Sequence, residues 1–224
     1  MKPIPIYVFY HFFVPSGSNT WIWTLDQQLQ AIRDSGLSVA ATINMCITGD
    51  IDLNYIKRRY PFVNVIDVRS TEDPNIFEGQ TLEAIWLADL PDNAYVLYIH
   101  SKGATTNSTY VSAWRETLNY EIINKWRHCC SLLYYDVVGV SDTHVINSNS
   151  VITSGNFWWA TAKYIKTLPN PIDSTQYLDK HHPNDYDYRY CFERWITSNN
   201  PRLFFSCNMD CNPYLEYYFV EELN

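Results

Sequence analysis

Tyr95-Val96-Leu97-Tyr98-Ile99-His100-Ser101-Lys102-Gly103 is a short apolar run that ends in an imidazole, a hydroxyl, a cation and a glycine. Pro91-Asp92-Asn93 closes the run on its N-terminal side. A bounded run of this length reads as a buried strand of an α/β sheet. Ligands of open α/β sheets sit in the crevice beyond the carboxyl ends of the strands. His100, Ser101, Lys102 and Gly103 at such an end suit an anionic group such as a diphosphate. The alternative is a polar loop that only closes a strand.

The surrounding chain alternates strand and helix. Ile4 to Phe9 reads as a first strand, followed by the turn Pro15-Ser16-Gly17-Ser18-Asn19. Trp21, Leu25, Leu29 and Ile32 recur at helical spacing and predict a helix from Trp21 to Ser35, ending near Gly36. Leu37 to Ile47 reads as a second strand, Leu53 to Tyr60 as a short helix, Val63 to Val68 as a third strand and Gln80 to Ala88 as a helix. Ser112 to Leu133 reads as one long helix, with Trp114, Leu118, Ile122 and Trp126 at heptad-like spacing. Val137 to Val140 is a strand, Asn156 to Ile165 mixes strand and helix signals, and Tyr188 to Thr197 is helical. The expected fold class is therefore α/β, a central mixed but mostly parallel sheet flanked by helices. One domain is expected over 1–224, with a nucleotide-binding half at 1–103 and an acceptor half at 104–224. The chain is also compatible with being one domain of a longer protein.

Composition narrows the partners. The formal net charge of −8 argues against a nucleic-acid backbone, which needs a basic surface. No apolar run approaches the roughly 20 residues of a membrane helix. Met1-Lys2-Pro3-Ile4-Pro5 leads straight into a strand pattern, so no secretory signal is expected and the protein is read as soluble and cytoplasmic. Aromatic residues make up 16% of the chain, with 18 Tyr and 8 Trp. Aromatic faces stack on bases and sugar rings, although most such residues fill cores. The six cysteines lack zinc-ribbon spacing and are expected as free, mostly buried thiols.

Neither GxGxxG nor GxxxxGK[ST] occurs, which disfavours a dinucleotide-dependent dehydrogenase and a P-loop enzyme. A bound diphosphate would then meet side-chain charge or a metal. Hard divalent cations take oxygen ligands, and two Asp-x-Asp strings exist, Asp50-Ile51-Asp52 and Asp185-Tyr186-Asp187. Chance matches are common among 24 acidic residues. At the strand end itself stands His100-Ser101-Lys102, where lysine can supply the charge directly and neutral His100 is the candidate metal ligand.

Three strings together, Tyr98-Ile99-His100-Ser101-Lys102-Gly103, Trp114-Arg115 and Ser154-Gly155-Asn156-Phe157-Trp158-Trp159-Ala160, resemble a family of small GT-A-type glycosyltransferases. Its members occur in bacterial polysaccharide loci and in large DNA viruses of algae, the chloroviruses, where they decorate the capsid glycoprotein. Glu193-Arg194-Trp195-Ile196 matches a further family string, and Asn75 to Leu82 looks like the family's acidic turn. The resemblance runs from about residue 4 to 197. It implies a GT-A, Rossmann-like fold, a UDP-sugar as co-substrate and a glycan or glycoprotein acceptor, placing a viral member in the host cytoplasm. Mn²⁺ or Mg²⁺ dependence is implied too, although the usual Asp-x-Asp at the strand end is missing.

Residue roles follow from that reading. Tyr10 or His11 is expected against the base, with core packing of alternate strand residues as the alternative. Glu78 and Thr81 are expected against ribose or donor sugar, with a charge matched to the helix N-terminus as the alternative. Lys102, with His100 and Ser101, is expected at the diphosphate, and Arg115 at phosphate or acceptor. Ser154, Gly155 and Asn156 form the turn on which the donor sugar lies. Trp158 and Trp159 point in different directions, one toward a sugar and the other into the core. Glu193 is the first candidate for the carboxylate that deprotonates the acceptor. Asp142 and His144 compete for that role. A surface ion pair is the alternative for Arg115 and for Glu193. His181 and His182 read as surface residues. A non-catalytic carbohydrate-binding module, a nucleotidyltransferase or sugar-nucleotide-processing enzyme on a similar sheet, and a degenerate GT-A scaffold are the competing functions.

Overall fold

The computed structural model describes residues 3–17, 19–70, 78–106, 108–140, 153–173 and 187–206. A seven-stranded sheet forms its centre. In chain order the strands are β1 (Ile6–Phe13), β2 (Thr42–Thr48), β3 (Val63–Arg69), β4 (Tyr95–His100), β5 (Val137–Gly139), β6 (Trp158–Thr161) and β7 (Leu203–Phe205). Their spatial order is β3-β2-β1-β4-β6-β5-β7, and β6 alone among them runs antiparallel to its neighbours. The mixed, mostly parallel α/β architecture expected from the sequence is the one observed.

The helices are α1 (Thr20–Asp34), α2 (Leu37–Ala40), α3 (Leu53–Arg59), α4 (Gly79–Leu87), α5 (Thr109–Leu118), α6 (Trp126–Ser131), α7 (Ala162–Ile165) and α8 (Asp187–Trp195). Alternation along the strands builds a core on each face of the sheet. Val8, Tyr10, Phe12, Leu97, Ile99 and Trp159 pack with Leu25 and Leu29 of α1 on one face. Phe9, Val96, Tyr98 and Trp158 pack with Leu82 of α4 and Phe192 and Trp195 of α8 on the other.

Two expected elements are corrected. Leu37 to Ile47 is not one strand: Gly36, with φ of 76°, closes α1, and Leu37–Ala40 makes a separate helical turn before β2 begins at Thr42. The glycine tolerates a left-handed conformation that most residues resist, so the chain reverses there. Ser112 to Leu133 is not one helix either. A π-helical turn, Asn119–Asn124, separates α5 from α6, marked by the bond from Lys125 N to Tyr120 O at 3.1 Å. Within it the carbonyls of Glu121 and Ile122 accept from Cys129 Sγ and Trp159 Nε1. Heptad spacing was blind to this insertion because the same residues stay apolar.

Cys46, Cys129, Cys130 and Cys191 are free thiols, three of them buried. Cys207 and Cys211 lie outside the described residues, as do Asp142, His144, His181 and His182. No described helix is long and apolar enough to cross a membrane.

Candidate functional site

The strand order reverses beside β1: β2 and β3 lie to one side of it, and β4 lies to the other. Such a reversal opens a crevice at the carboxyl ends of the two diverging strands. His100-Ser101-Lys102-Gly103 leaves β4 at this point, next to Phe13-Val14 leaving β1. Ser101 ties the two exits together: its N–H donates to His11 O at 2.9 Å, and its Oγ accepts from Phe13 N at 2.9 Å.

The carbonyls at these strand ends run out of sheet partners, and buried glutamines supply them. Gln28 of α1 accepts from Tyr10 OH at 2.6 Å and donates to His100 O at 2.9 Å. Gln80 of α4 donates to Ile47 O at 3.5 Å and accepts from Thr48 Oγ1 at 2.8 Å. Neither glutamine was picked out from the sequence. The signal existed for Gln28, which falls on the same helical stripe as Leu25, Leu29 and Ile32.

On the α4 face a polar cluster joins α4, β4 and the turn before β6. Glu78 precedes α4, and its Oε1 lies 3.1 Å from His100 Nδ1, each side chain only 9% exposed. Glu78 Oε2 accepts from Tyr98 OH at 3.1 Å and from Asn156 Nδ2. Asn156 Oδ1 in turn accepts from Trp158 Nε1 at 3.1 Å. His100 Nε2 lies 2.7 Å from Gly155 O. A carbonyl oxygen only accepts, so Nε2 carries a hydrogen. Nδ1 faces the Glu78 carboxylate at hydrogen-bond distance, so both ring nitrogens are engaged. Burial pushes the Glu78 carboxyl upward, but His100, His11, the Asn156 amide and Lys102 outweigh it and hold it below the ordinary value. His11 shares a 3.0 Å hydrogen bond with Thr81 Oγ1. Burial, assisted by the charge on His100 and opposed by Glu78, lowers His11 to about 4, so it is neutral at pH 7.

Several expectations change in this light. Tyr10 is buried under α1 rather than set against a base, because strand alternation turns it away from the His11 face. His11 is 4% exposed and committed to Thr81, itself buried. Glu78 and Asn156, expected on ribose and sugar hydroxyls, satisfy each other in the interior. Gly155 does permit a close approach, but to α5: a Cβ there would lie 2.6 Å from Leu118 Cδ1 and 3.4 Å from Trp114. Trp158 and Trp159 do point to opposite faces, yet both are 0% exposed, each closing a core, so neither offers a sugar platform. Both nitrogens of His100 are engaged, which leaves no lone pair for a metal.

Ser154 opens the turn Ser154–Asn156, where Gly155 and Asn156 have φ of 62° and 53°. A buried asparagine in the left-handed region is uncommon and is held by its two side-chain bonds. Glu193 lies on α8, and its charge is the smallest of the influences that raise Tyr98, after burial, Glu78 and Cys46. Phe192 beside it packs over Gly79, where a Cβ would lie 2.6 Å from Phe192 Cζ. Lys102 and Arg115 stand together on the α5 side, joined through the Lys102 carbonyl. Arg115 is not on the surface but 1% exposed, donating to Lys102 O at 2.8 Å and Gln27 Oε1 at 2.6 Å.

Among the described residues no three His, Cys, Asp or Glu side chains stand together to hold a metal. The oxygens of Glu78 are occupied, and Asp52 caps α3 through Asn54 N and pairs with Arg58. These residues do not fit a divalent cation. Two open cavities lie away from the cluster. One of about 660 Å³ sits between α1 and α3, lined by Trp23, Asp26 and Arg59 among others. The other, of about 430 Å³, sits at the opposite end of the sheet near Asp92, Asp136 and Arg202.

By structure, the chain is similar to a Desulfovibrio desulfuricans G20 protein assigned as a nucleotide-diphospho-sugar transferase. The identity is 12%, over 88% of this chain and 78% of that one, with a TM-score of 0.38. It is also similar to a 4-diphosphocytidyl-2C-methyl-D-erythritol synthase, at 10% identity over 100% and 99% of the two chains and a TM-score of 0.39. The synthase of that name from Anaerococcus prevotii DSM 20548 gives 12% identity over 96% and 100%, with a TM-score of 0.39. No curated protein matches the sequence. Residues 9–210 match the model of a family described as a domain of unknown function, DUF8361, and the chain belongs to that family.

Proposed function

We propose that this chain is a glycosyltransferase that seats a UDP-sugar at the carboxyl ends of β1 and β4 and moves a hexose or deoxyhexose to a glycan. The acceptor belongs to a surface or capsid glycan, as in the glycosyltransferases that its motifs resemble. One observation carries the reading: the His-Ser-Lys-Gly string stands at the point where the strand order reverses, where α/β sheets bind ligands.

In this reading Lys102 faces the diphosphate and stabilises the charge that builds on departing UDP, the kind of electrostatic term that usually dominates catalysis. Glu193, on α8, takes the proton of the acceptor hydroxyl. Asp142, beyond β5, is the competing base. The Glu78–His100–Asn156 cluster does not touch substrate. It fixes the strand ends and the turn that frame the crevice.

The test is release of UDP from a panel of UDP-hexoses, with simple glycosides as acceptors. Lys102→Met is expected to lower turnover about 10²- to 10³-fold, the usual effect of removing one oxyanion-type partner. Glu193→Gln is expected to lower it about 10²- to 10⁴-fold, the usual contribution of a general base. Release of UDP unchanged in both variants would contradict the assignment of roles. No release from any donor would contradict the reaction.

A further inference from the structure

Lys102 is held at both ends by consecutive residues of α5. Its ammonium lies 3.7 Å from the centroid of the Trp114 ring. Its carbonyl oxygen accepts Arg115 Nη1 at 2.8 Å. The other Arg115 donors meet Gln27 Oε1 at 2.6 Å and Ser112 Oγ at 3.4 Å. These partners are neutral oxygens around a guanidinium that is 1% exposed. Burying a cation among neutral acceptors is costly, and Glu116, which accepts from Gln27 Nε2 at 3.0 Å, supplies the nearby charge that favours it.

Two glycines make room for the arrangement. A Cβ on Gly103 would lie 2.8 Å from Arg115 Nη1 and 2.6 Å from Val111 Cγ1. A Cβ on Gly155 would crowd Leu118 and Trp114. Gly103 and Gly155 both have positive φ, which suits glycine. The two turns that frame the crevice are therefore shaped around α5, and α5 in turn fixes Lys102.

We infer that Trp114 and Arg115 are positioning residues that hold Lys102 as the cation for the donor diphosphate. The inference rests on the donor-site reading above. Arg115 acts on the diphosphate through the Lys102 backbone and does not touch it. The indole holds the ammonium over its face, and the Arg115 guanidinium holds the carbonyl of the same residue. A cation fixed before binding loses less freedom on binding.

The test is calorimetric titration of UDP and of uridine into the wild type, Lys102→Met, Trp114→Leu and the double variant. Lys102→Met is expected to weaken UDP at least tenfold and to leave uridine unchanged. Trp114→Leu is expected to weaken UDP roughly threefold to tenfold, the range of a partly desolvated cation–π contact. The double variant is expected to be no weaker than Lys102→Met alone, because the indole acts through the lysine. Arg115→Lys, which cannot span Gln27 and the Lys102 carbonyl together, is expected to weaken UDP while sparing uridine. A Trp114 effect that persists without Lys102, or equal losses of UDP and uridine, would overturn the inference. So would UDP binding that Lys102→Met leaves unchanged. A wild type that binds neither ligand would overturn the donor-site reading itself, and this inference with it.

Discussion

Glu78 and His100 form an ion pair across the top of the sheet, Oε1 to Nδ1 at 3.1 Å, and the same ring reaches Gly155 O at 2.7 Å. One residue thus couples the start of α4 to the turn that enters β6. A buried pair gains little over an apolar contact of the same shape, but removing one partner leaves an uncompensated charge. Glu78→Ala is therefore expected to cost about 3–5 kcal/mol in urea unfolding. A cost near zero would mean that the cluster does not organise the crevice.

The acid side of the stability profile should carry His11. Its pKa is lowered to about 4 in the fold, chiefly by burial, with Glu78, His100 and Thr81 facing it. The unfolded chain binds the proton near pH 6.5, so it holds more protons than the fold between those values. Stability is then full above pH 6.5 and is lost as pH falls toward 4. By pH 5 the loss from His11 amounts to about 2 kcal/mol. Glu78, held below its ordinary value, adds a loss of the same sign at lower pH. His11→Asn, which cannot take up a proton, should flatten the pH 7 to pH 5 decline by about that amount. Parallel profiles for the two proteins would contradict the assignment.

Asn156 allows backbone and side chain to be separated. Its φ of 53° favours glycine or asparagine, and its amide holds Glu78 and Trp158. Both Asn156→Gly and Asn156→Ala lose the side-chain bonds, for about 2–3 kcal/mol. Alanine also meets the left-handed backbone penalty and should be worse than glycine by about 1 kcal/mol. Equal stabilities in chemical denaturation would show that the turn relaxes when the side chain leaves.

Gly155→Ala combines a positive φ with a Cβ placed 2.6 Å from Leu118 Cδ1. The expected loss is about 2–4 kcal/mol, from overpacking and backbone strain together. Adding Leu118→Ala should recover part of it by removing the clash, whereas additive losses would place the strain in the backbone alone.

The sheet was legible because burial on both faces of parallel strands leaves unbroken apolar runs, as in Val96 to Ile99. Helix α1 was legible because Leu25, Leu29 and Ile32 keep the helical period. The π-helical turn at Asn119–Asn124 was not, since an inserted residue does not change which side chains are apolar. The candidate site was legible by composition and misread by direction. Glu78, His100 and Asn156 do meet, but they face one another. Polar residues that satisfy each other inside a fold look, in sequence, like polar residues waiting for a ligand. Trp158 and Trp159 show the same limit: alternation predicted opposite faces, but not that both faces are covered.

The central claim is that a nucleoside diphosphate binds where β1 and β4 diverge, and thermal unfolding with UDP, GDP and CMP, with EDTA or Mn²⁺, tests it most directly. A ligand at a hundred times its dissociation constant adds about 2.7 kcal/mol, or roughly 5–10 °C for a chain of this size. The account predicts a shift of that order with UDP in EDTA, little with GDP or CMP, and its loss in Lys102→Met. No shift with any nucleotide in either condition, from a wild type that unfolds cooperatively, would contradict it.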